Sequence, residues 1–155
     1  MEVAEAEAAV GALRLEHDWS AARGVPAHIT ILFPFAAPDA VDESAVAELV
    51  AAHAAFDFVL ARVATFGDEV TYLEPVPAAP FVALTEAVAA RWPQHPPYEG
   101  AHETVVPHLT VSDRGIVAVD AVFPIHARAE WVTLLEEDDD EQWRRRARFA
   151  LQPVA

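Results

Sequence analysis

The apolar positions change period along the chain, and the changes mark out short elements punctuated by proline and glycine. Residues 8–16 fit two readings: Val10, Ala12 and Arg14 alternate weakly as in a strand, and the alanines equally permit a helix. His28 to Phe33 is rich in apolar and β-branched residues between Pro26 and Pro34 and reads as a strand. Residues 40–53 repeat apolar side chains at helical spacing (Val46, Leu49, Val50), with Asp39 or Asp42 as the N-cap. Phe56 to Phe66 reads as a strand, and Glu69 to Leu73 as its short partner across a Gly67-Asp68 turn.

Residues 79–92 look helical, with Pro80 in the first turn, where a missing N–H is tolerated. Pro93, Pro96 and Pro97 end that helix and begin a stiff loop through Gly100. Val105 to Ser112 is the next strand. Ile125 to Glu136 and Gln142 to Leu151 read as a closing hairpin, with the acidic run 137–141 as its turn. Short strands interleaved with two helices predict an α+β fold, the helices packed outside largely antiparallel sheets.

Composition narrows the partners. A chain of 155 residues, 54% apolar, fits one domain (1–155) with a sizeable core. There are no cysteines, so disulfides and thiolate metal sites are excluded. No apolar run approaches the ~20 residues that span a bilayer, and the acidic start, Met1-Glu-Val-Ala-Glu, lacks the basic region of a secretory signal. No membrane partner and a cytoplasmic location are therefore expected, and the chain is taken as a monomer. The formal net charge of −15 repels long nucleic acids, whose binding rests on Lys and Arg at the phosphates. A small anionic substrate stays compatible with a locally hydrogen-bond-rich site.

Two tetrads carry the chemistry: His28-Ile-Thr30-Ile and His108-Leu-Thr110-Val. In a strand, side chains alternate between faces, so each tetrad buries its apolar pair and turns an imidazole and a hydroxyl to the other side. Side by side, two such segments give a cleft holding two imidazoles and two hydroxyls. Near neutral pH one imidazole can accept a proton from a nucleophile while the other donates one to a leaving oxygen. The hydroxyls can hydrogen-bond the non-bridging oxygens of a phosphate as negative charge builds there. This chemistry requires no metal and no cofactor. The competing reading is two buried strands whose histidines are satisfied by backbone partners.

The paired motif resembles that of the two-histidine (2H) phosphoesterase superfamily, which includes the bacterial 2′-5′ RNA ligase-like proteins and the 2′,3′-cyclic phosphodiesterases. The stretches Gly24-Val-Pro-Ala-His-Ile-Thr-Ile-Leu-Phe-Pro-Phe35, Trp92-Pro-Gln-His-Pro-Pro-Tyr-Glu-Gly100 and Val105-Val-Pro-His-Leu-Thr-Val111 resemble the 2′-5′ RNA ligase-like branch. The resemblance implies a bilobal α+β fold in which two pseudo-symmetric antiparallel sheets flank a cleft, each lobe supplying one motif. It implies catalysis by His28 and His108, phosphate binding by Thr30 and Thr110, and action on a 2′,3′-cyclic or 2′-5′ phosphodiester. It also places Tyr98, in the proline-rich loop, near the substrate. Two features depart from the pattern. The connection from Asp113 to Phe123 leaves little room for a helix, and the acidic charge suits a small nucleotide or RNA end better than ligation of long RNA. The alternatives are 2′-5′ ligase activity, a non-catalytic nucleotide-binding module on the same fold, or a different ester such as an ADP-ribose cyclic phosphate or a phosphopantetheine-like group.

Other residues invite weaker readings. Phe33 and Phe35 are expected in the core, although they and Trp92 could stack on a base. Arg144, Arg145, Arg146 and Arg148 are expected to form a solvated face balancing the acids at 137–141. Arg14 and Arg23 lie near enough to the first motif to reach a phosphate. Glu103 is a candidate to orient the His108 imidazole. His17, His53, His95, His102 and His126 show no metal-ligand spacing, and a zinc site on His28, His108 and an acid lacks a clear third ligand.

Overall fold

The computed structural model describes residues 1–100 and 104–154. Within them, six strands fall into two antiparallel sheets, with four α-helices, in an α+β fold.

The larger sheet has the order β3-β2-β1-β4. Its centre is the hairpin of β1 (Phe56–Phe66) and β2 (Val70–Val76), closed by a turn in which Gly67 takes a φ of 57°, the left-handed region that glycine enters without a Cβ penalty. β3 (Leu109–Ser112) pairs with β2, setting Thr110 opposite Tyr72, and β4 (Ile125–Ala129) pairs with β1 on the other side. The smaller sheet is the hairpin of β5 (Trp131–Glu137) and β6 (Trp143–Ala150). Its acidic turn is organised by Asp138, whose Oδ1 accepts from the amides of Asp140 and Gln142.

The apolar run from Ile125 to Glu136, read from sequence as one hairpin arm, is therefore two strands in two sheets. The break is at Glu130, whose carbonyl accepts from the Leu151 amide. Alternation alone cannot show a strand changing partners.

The N-terminal ambiguity resolves to helix. α1 (Ala4–His17) buries Ala6, Val10 and Arg14 at four-residue spacing, with Glu5 and Glu7 in the first turn and Arg14 and His17 in the last, each sign at its favourable helix end. A short helix, α2 (Trp19–Ala22), follows, capped by the Asp18 carboxylate on the Ser20 amide. α3 (Glu43–Ala51) takes its cap from Asp42, on the Ala45 amide at 3.1 Å. α4 (Ala79–Arg91) starts with Pro80 in its first turn, as expected.

One hydrophobic cluster joins these layers. Val10 of α1, Val46 and Val50 of α3, Phe58 and Leu60 of β1, Phe81 and Leu84 of α4, and Leu109 and Val111 of β3 meet Phe149 of β6 and Leu151 just beyond it. At ~25 cal/mol per Å² of apolar surface removed from water, this shared burial is what holds the two sheets in a fixed relation.

Candidate functional site

The two His-x-Thr segments are held in place by different means. Thr110 lies in β3, and His108 immediately precedes that strand. His28 to Thr30 belongs to neither sheet, so the strand expected over His28 to Phe33 is an extended segment with a single ladder bridge, from His28 to Glu2. Residues 1–3 supply its hydrogen bonds: Val3 N–H to Ala27 O, Ile29 N–H to Met1 O, and the Met1 ammonium to Ile29 O, all at 2.8 Å. Pro26 and Pro34 have no N–H to extend the pairing.

Alternation nevertheless sorts both segments as the sequence predicts. Ile29, Leu109 and Val111 are 0% exposed and Ile31 is 8% exposed, so the apolar pairs are in the core. His28, Thr30, His108 and Thr110 are half-buried and line one cleft of about 1280 Å³, together with Tyr98. The five site residues named from sequence thus reach a common cavity.

Both imidazoles are anchored alike. His28 Nδ1 donates to the Pro26 carbonyl and His108 Nδ1 to the Val106 carbonyl, each at 2.8 Å and each two residues back. A carbonyl oxygen only accepts, so the neutral rings carry their proton on Nδ1, and Nε2 is the nitrogen left to take up a further one. His28 sits deep among protein atoms, and this burial pushes its imidazole down to about 4. The Met1 ammonium and the Arg14 guanidinium push the same way, against the Pro26 hydrogen bond and the Asp18 carboxylate. His28 is thus neutral at pH 7. The His108 ring stands edge-on to Phe66 (5.1 Å, 90°) and to Tyr72 (5.6 Å, 67°), which stack on each other at 4.2 Å. This aromatic corner fixes the plane of the imidazole.

Tyr98 reaches the first motif from the proline-rich loop. Its amide donates to the Phe33 carbonyl at 2.8 Å, and its phenol shares a hydrogen bond with the Thr30 hydroxyl. Burial raises the phenol's pKa, so it stays protonated and able to donate. Tyr98 and Glu99 hold φ values of 51° and 55°, a left-handed backbone that costs roughly 1 kcal/mol or more per non-glycine residue.

The aromatic and basic residues divide. Phe35 packs on the core and on Trp92 (centroids 5.3 Å apart), as expected, while also lining the cleft; Phe33 is 40% exposed and lines the cleft, its ring centroid 6.0 Å from that of Trp143. A bulge at Arg146 breaks the alternation of β6. Arg144 pairs with Asp138, Arg145 with Glu2, and Arg146 with Glu43 and Glu136, while Arg148 lies over the Trp131 ring at 4.8 Å. The cluster balances acids, as predicted, but three of those partners lie outside the 137–141 turn. Arg146 also lines the cleft. Arg23 is held by Glu137 and Glu141.

Arg14 is 2% exposed and turned into the protein, where it binds Asp18 and backbone carbonyls. Its role was missed in the sequence because 8–16 was not assigned to a helix. The signal was present, since 6, 10 and 14 fall on one helical face. Glu103 and His102 lie outside the described residues. Among the described residues, no group of three or more His, Asp or Glu side chains is gathered as a metal site, and no helix is long and apolar enough to cross a membrane.

A model of the 2′-5′ RNA ligase superfamily matches residues 2–141. The chain belongs to this superfamily. The fold of this 2′-5′ RNA ligase superfamily member is similar to that of Escherichia coli LigT complexed with 3′-AMP, at 16% identity and a TM-score of 0.66 over 97% of this chain and 94% of that one. The apo form of LigT aligns at 20% identity and a TM-score of 0.62 over 98% and 94%. TT0787 of Thermus thermophilus aligns at 19% identity and a TM-score of 0.60 over 84% and 82%. A search of curated proteins finds no match. At these identities the likeness shows the fold, and the roles of single residues in the superfamily member rest on its own geometry.

Proposed function

We propose that the chain is a phosphoesterase that hydrolyses a 2′,3′-cyclic phosphate, or a related small phosphodiester of a nucleotide or RNA end, by acid–base catalysis between His28 and His108. The observation that carries this reading is the convergence of both His-x-Thr pairs on one cleft with the same ring anchoring. LigT, a protein of similar fold, has been crystallised with 3′-AMP, which supports a small nucleotide as ligand.

In this reading His28, held neutral by burial, is the base. Its Nε2 takes a proton from a water as the water oxygen attacks phosphorus. The bond from phosphorus to the ribose 2′ or 3′ oxygen breaks, and His108, protonated on Nε2, gives its proton to that oxygen. A phosphomonoester and a free hydroxyl result. Thr30 and Thr110 donate to the non-bridging oxygens, and Tyr98 holds the Thr30 hydroxyl in place and contacts substrate. The reverse sequence, with a ribose hydroxyl as nucleophile, would swap the two histidines. Two imidazoles supply both proton transfers, so neither a cofactor nor a metal enters the scheme.

The test is incubation with the four 2′,3′-cyclic nucleotides across pH in the presence of a chelator. Turnover that is lost in both His28→Ala and His108→Ala supports the proposal. Tight nucleotide binding without turnover would replace it with a binding module.

A further inference from the structure

Sheet order gives the two motifs no backbone pairing with each other. β3 is bonded to β2, and the His28 segment is bonded to residues 1–3. The distance between the two imidazole–hydroxyl pairs, on which the chemistry above depends, must be set by something else.

A buried side chain joins them. Arg14 donates through Nε to the Thr110 carbonyl at 3.1 Å and through Nη1 to the Val25 carbonyl at 3.3 Å, three residues ahead of His28. Its fork is held from the other side by Asp18 Oδ2, at 3.0 Å from Nε and 2.7 Å from Nη2, and Nη2 also donates to Ser20 Oγ at 3.3 Å. Asp18 is itself 2% exposed and accepts from the Ser20 amide and hydroxyl through Oδ1. A buried ion pair of this kind contributes little net stability against an apolar replacement of the same shape, because desolvating both charges is expensive. What it supplies is geometry, since a guanidinium presents its donors at fixed angles.

The rest of α1 works in the same direction. Glu7 accepts from the Ala27 amide, adjacent to His28, and lies 3.9 Å from Arg14 Nη1. Gly11, in mid-helix, leaves room for that carboxylate, because a Cβ there would stand 2.7 Å from Glu7 Oε2. A mid-helix glycine costs about 1 kcal/mol relative to alanine, and here the space it leaves is occupied by a group bonded to the first motif.

We propose that Arg14 is a positioning residue of the two-histidine site: it ties the backbone before His28 to the backbone of Thr110 and so sets how far apart the two His-x-Thr pairs stand. The proposal rests on the phosphoesterase reading above. Arg14 touches neither substrate nor reacting atoms in this scheme and acts through the carbonyls it holds.

The experiment compares Arg14→Lys with Val10→Ala, using kcat and KM on a 2′,3′-cyclic nucleotide and Tm by calorimetry. Lysine keeps the charge beside Asp18 but cannot reach both carbonyls with one ammonium. Val10 is 1% exposed on the same helix and belongs to the shared hydrophobic cluster, so its truncation weakens packing without removing a hydrogen bond to either motif. Both variants should melt earlier. Val10→Ala should keep kcat within about twofold, whereas Arg14→Lys should lose roughly 10- to 100-fold in kcat with little change in KM, as misplacement by about an ångström does. If Arg14→Lys does not fold, Asp18→Asn, which weakens the carboxylate that holds the guanidinium against the two carbonyls, takes its place: a kcat loss beyond that of Val10→Ala is expected, and a kcat kept at that level overturns the role. A folded Arg14→Lys with wild-type kcat, or a kcat loss matching that of Val10→Ala at equal Tm, overturns the positioning role and leaves the phosphoesterase reading intact. A wild-type protein that turns over no phosphodiester, with unchanged histidines, overturns the reading and this role together.

Discussion

His28 donates its Nδ1 proton to the carbonyl oxygen of Pro26 at 2.8 Å. The bond does two things that a solvent-facing histidine could not. It fixes the tautomer, so that Nε2 carries the lone pair, and it fixes the ring on a segment that belongs to neither sheet and takes its ladder bridge from residues 1–3. His108 reaches the same state just ahead of the regular strand β3, through Val106. Two unlike backbones thus present equivalent nitrogens to one cleft.

The first prediction concerns protonation. With burial holding the imidazole down to about 4, His28 should remain neutral as the pH falls through 6.5 and should titrate near 4 in a ring-proton NMR experiment on the free protein. Because kcat/KM reports the free enzyme, its acid limb should follow this group and fall near pH 4. The effect on stability has a definite sign. Between about 6.5 and 4 the unfolded chain binds the proton and the folded one does not, so folding weakens as pH is lowered through that window. His28→Asn should show a shallower loss than wild type over the same range. A midpoint near 6.5 for this ring would remove the reason for naming it the base.

The second prediction is for the hydroxyls. Thr30→Val and Thr110→Val preserve shape and remove one donor each. Each should lower kcat by about 100-fold, the scale seen when one preorganised donor to a developing oxyanion is lost. Circular dichroism and Tm should stay close to wild type, since both side chains face the cleft and not the core. Full activity in either variant would take that residue out of the phosphate site.

Much of this arrangement could be read from residue order because it depends on period. The strand from Phe56 to Phe66, the turn at Gly67, the Asp42 cap and the inward pairs Ile29/Ile31 and Leu109/Val111 all follow from local pattern. What local pattern could not supply is pairing between distant segments. Residues 28–33 look like a strand yet meet only a three-residue partner, and 125–136 looks continuous yet divides between two sheets at Glu130. The bulge at Arg146 likewise reassigns the faces of β6 by one residue, and Phe33, which alternation places on the apolar face, lines the cleft. Arg14, expected from sequence to reach a phosphate, is buried instead, because only the helix brings Asp18 onto its guanidinium from four residues on.

The third prediction separates Tyr98 from the catalytic pair. Tyr98→Phe keeps the ring and removes the phenol that bonds Thr30. One neutral hydrogen bond is worth about 0.5–1.5 kcal/mol, so KM for a 2′,3′-cyclic nucleotide should rise by roughly 2- to 10-fold. The value of kcat should hold. A loss confined to kcat would instead mean that the phenol acts in the transition state, through the Thr30 hydroxyl that it bonds.

The fourth prediction tests whether the site depends on packing far from it. Phe81 is 0% exposed on α4, and its ring stands edge-on to Phe56 at 4.9 Å and to Phe58 at 5.0 Å, so it is the knob that seats the helix on the large sheet. Phe81→Ala removes those contacts and leaves a cavity walled by two rings that cannot collapse into it without breaking strand register. The expected cost is about 3–5 kcal/mol, within reach of the whole stability of a domain this size. Denaturant titration should show a lower midpoint at an unchanged slope, because the surface exposed on unfolding is nearly the same. None of the five site residues belongs to this cluster, so the fraction that stays folded should keep wild-type kcat. A fall in kcat per folded molecule would mean that α4 shapes the cleft through the sheet as well as stabilising it.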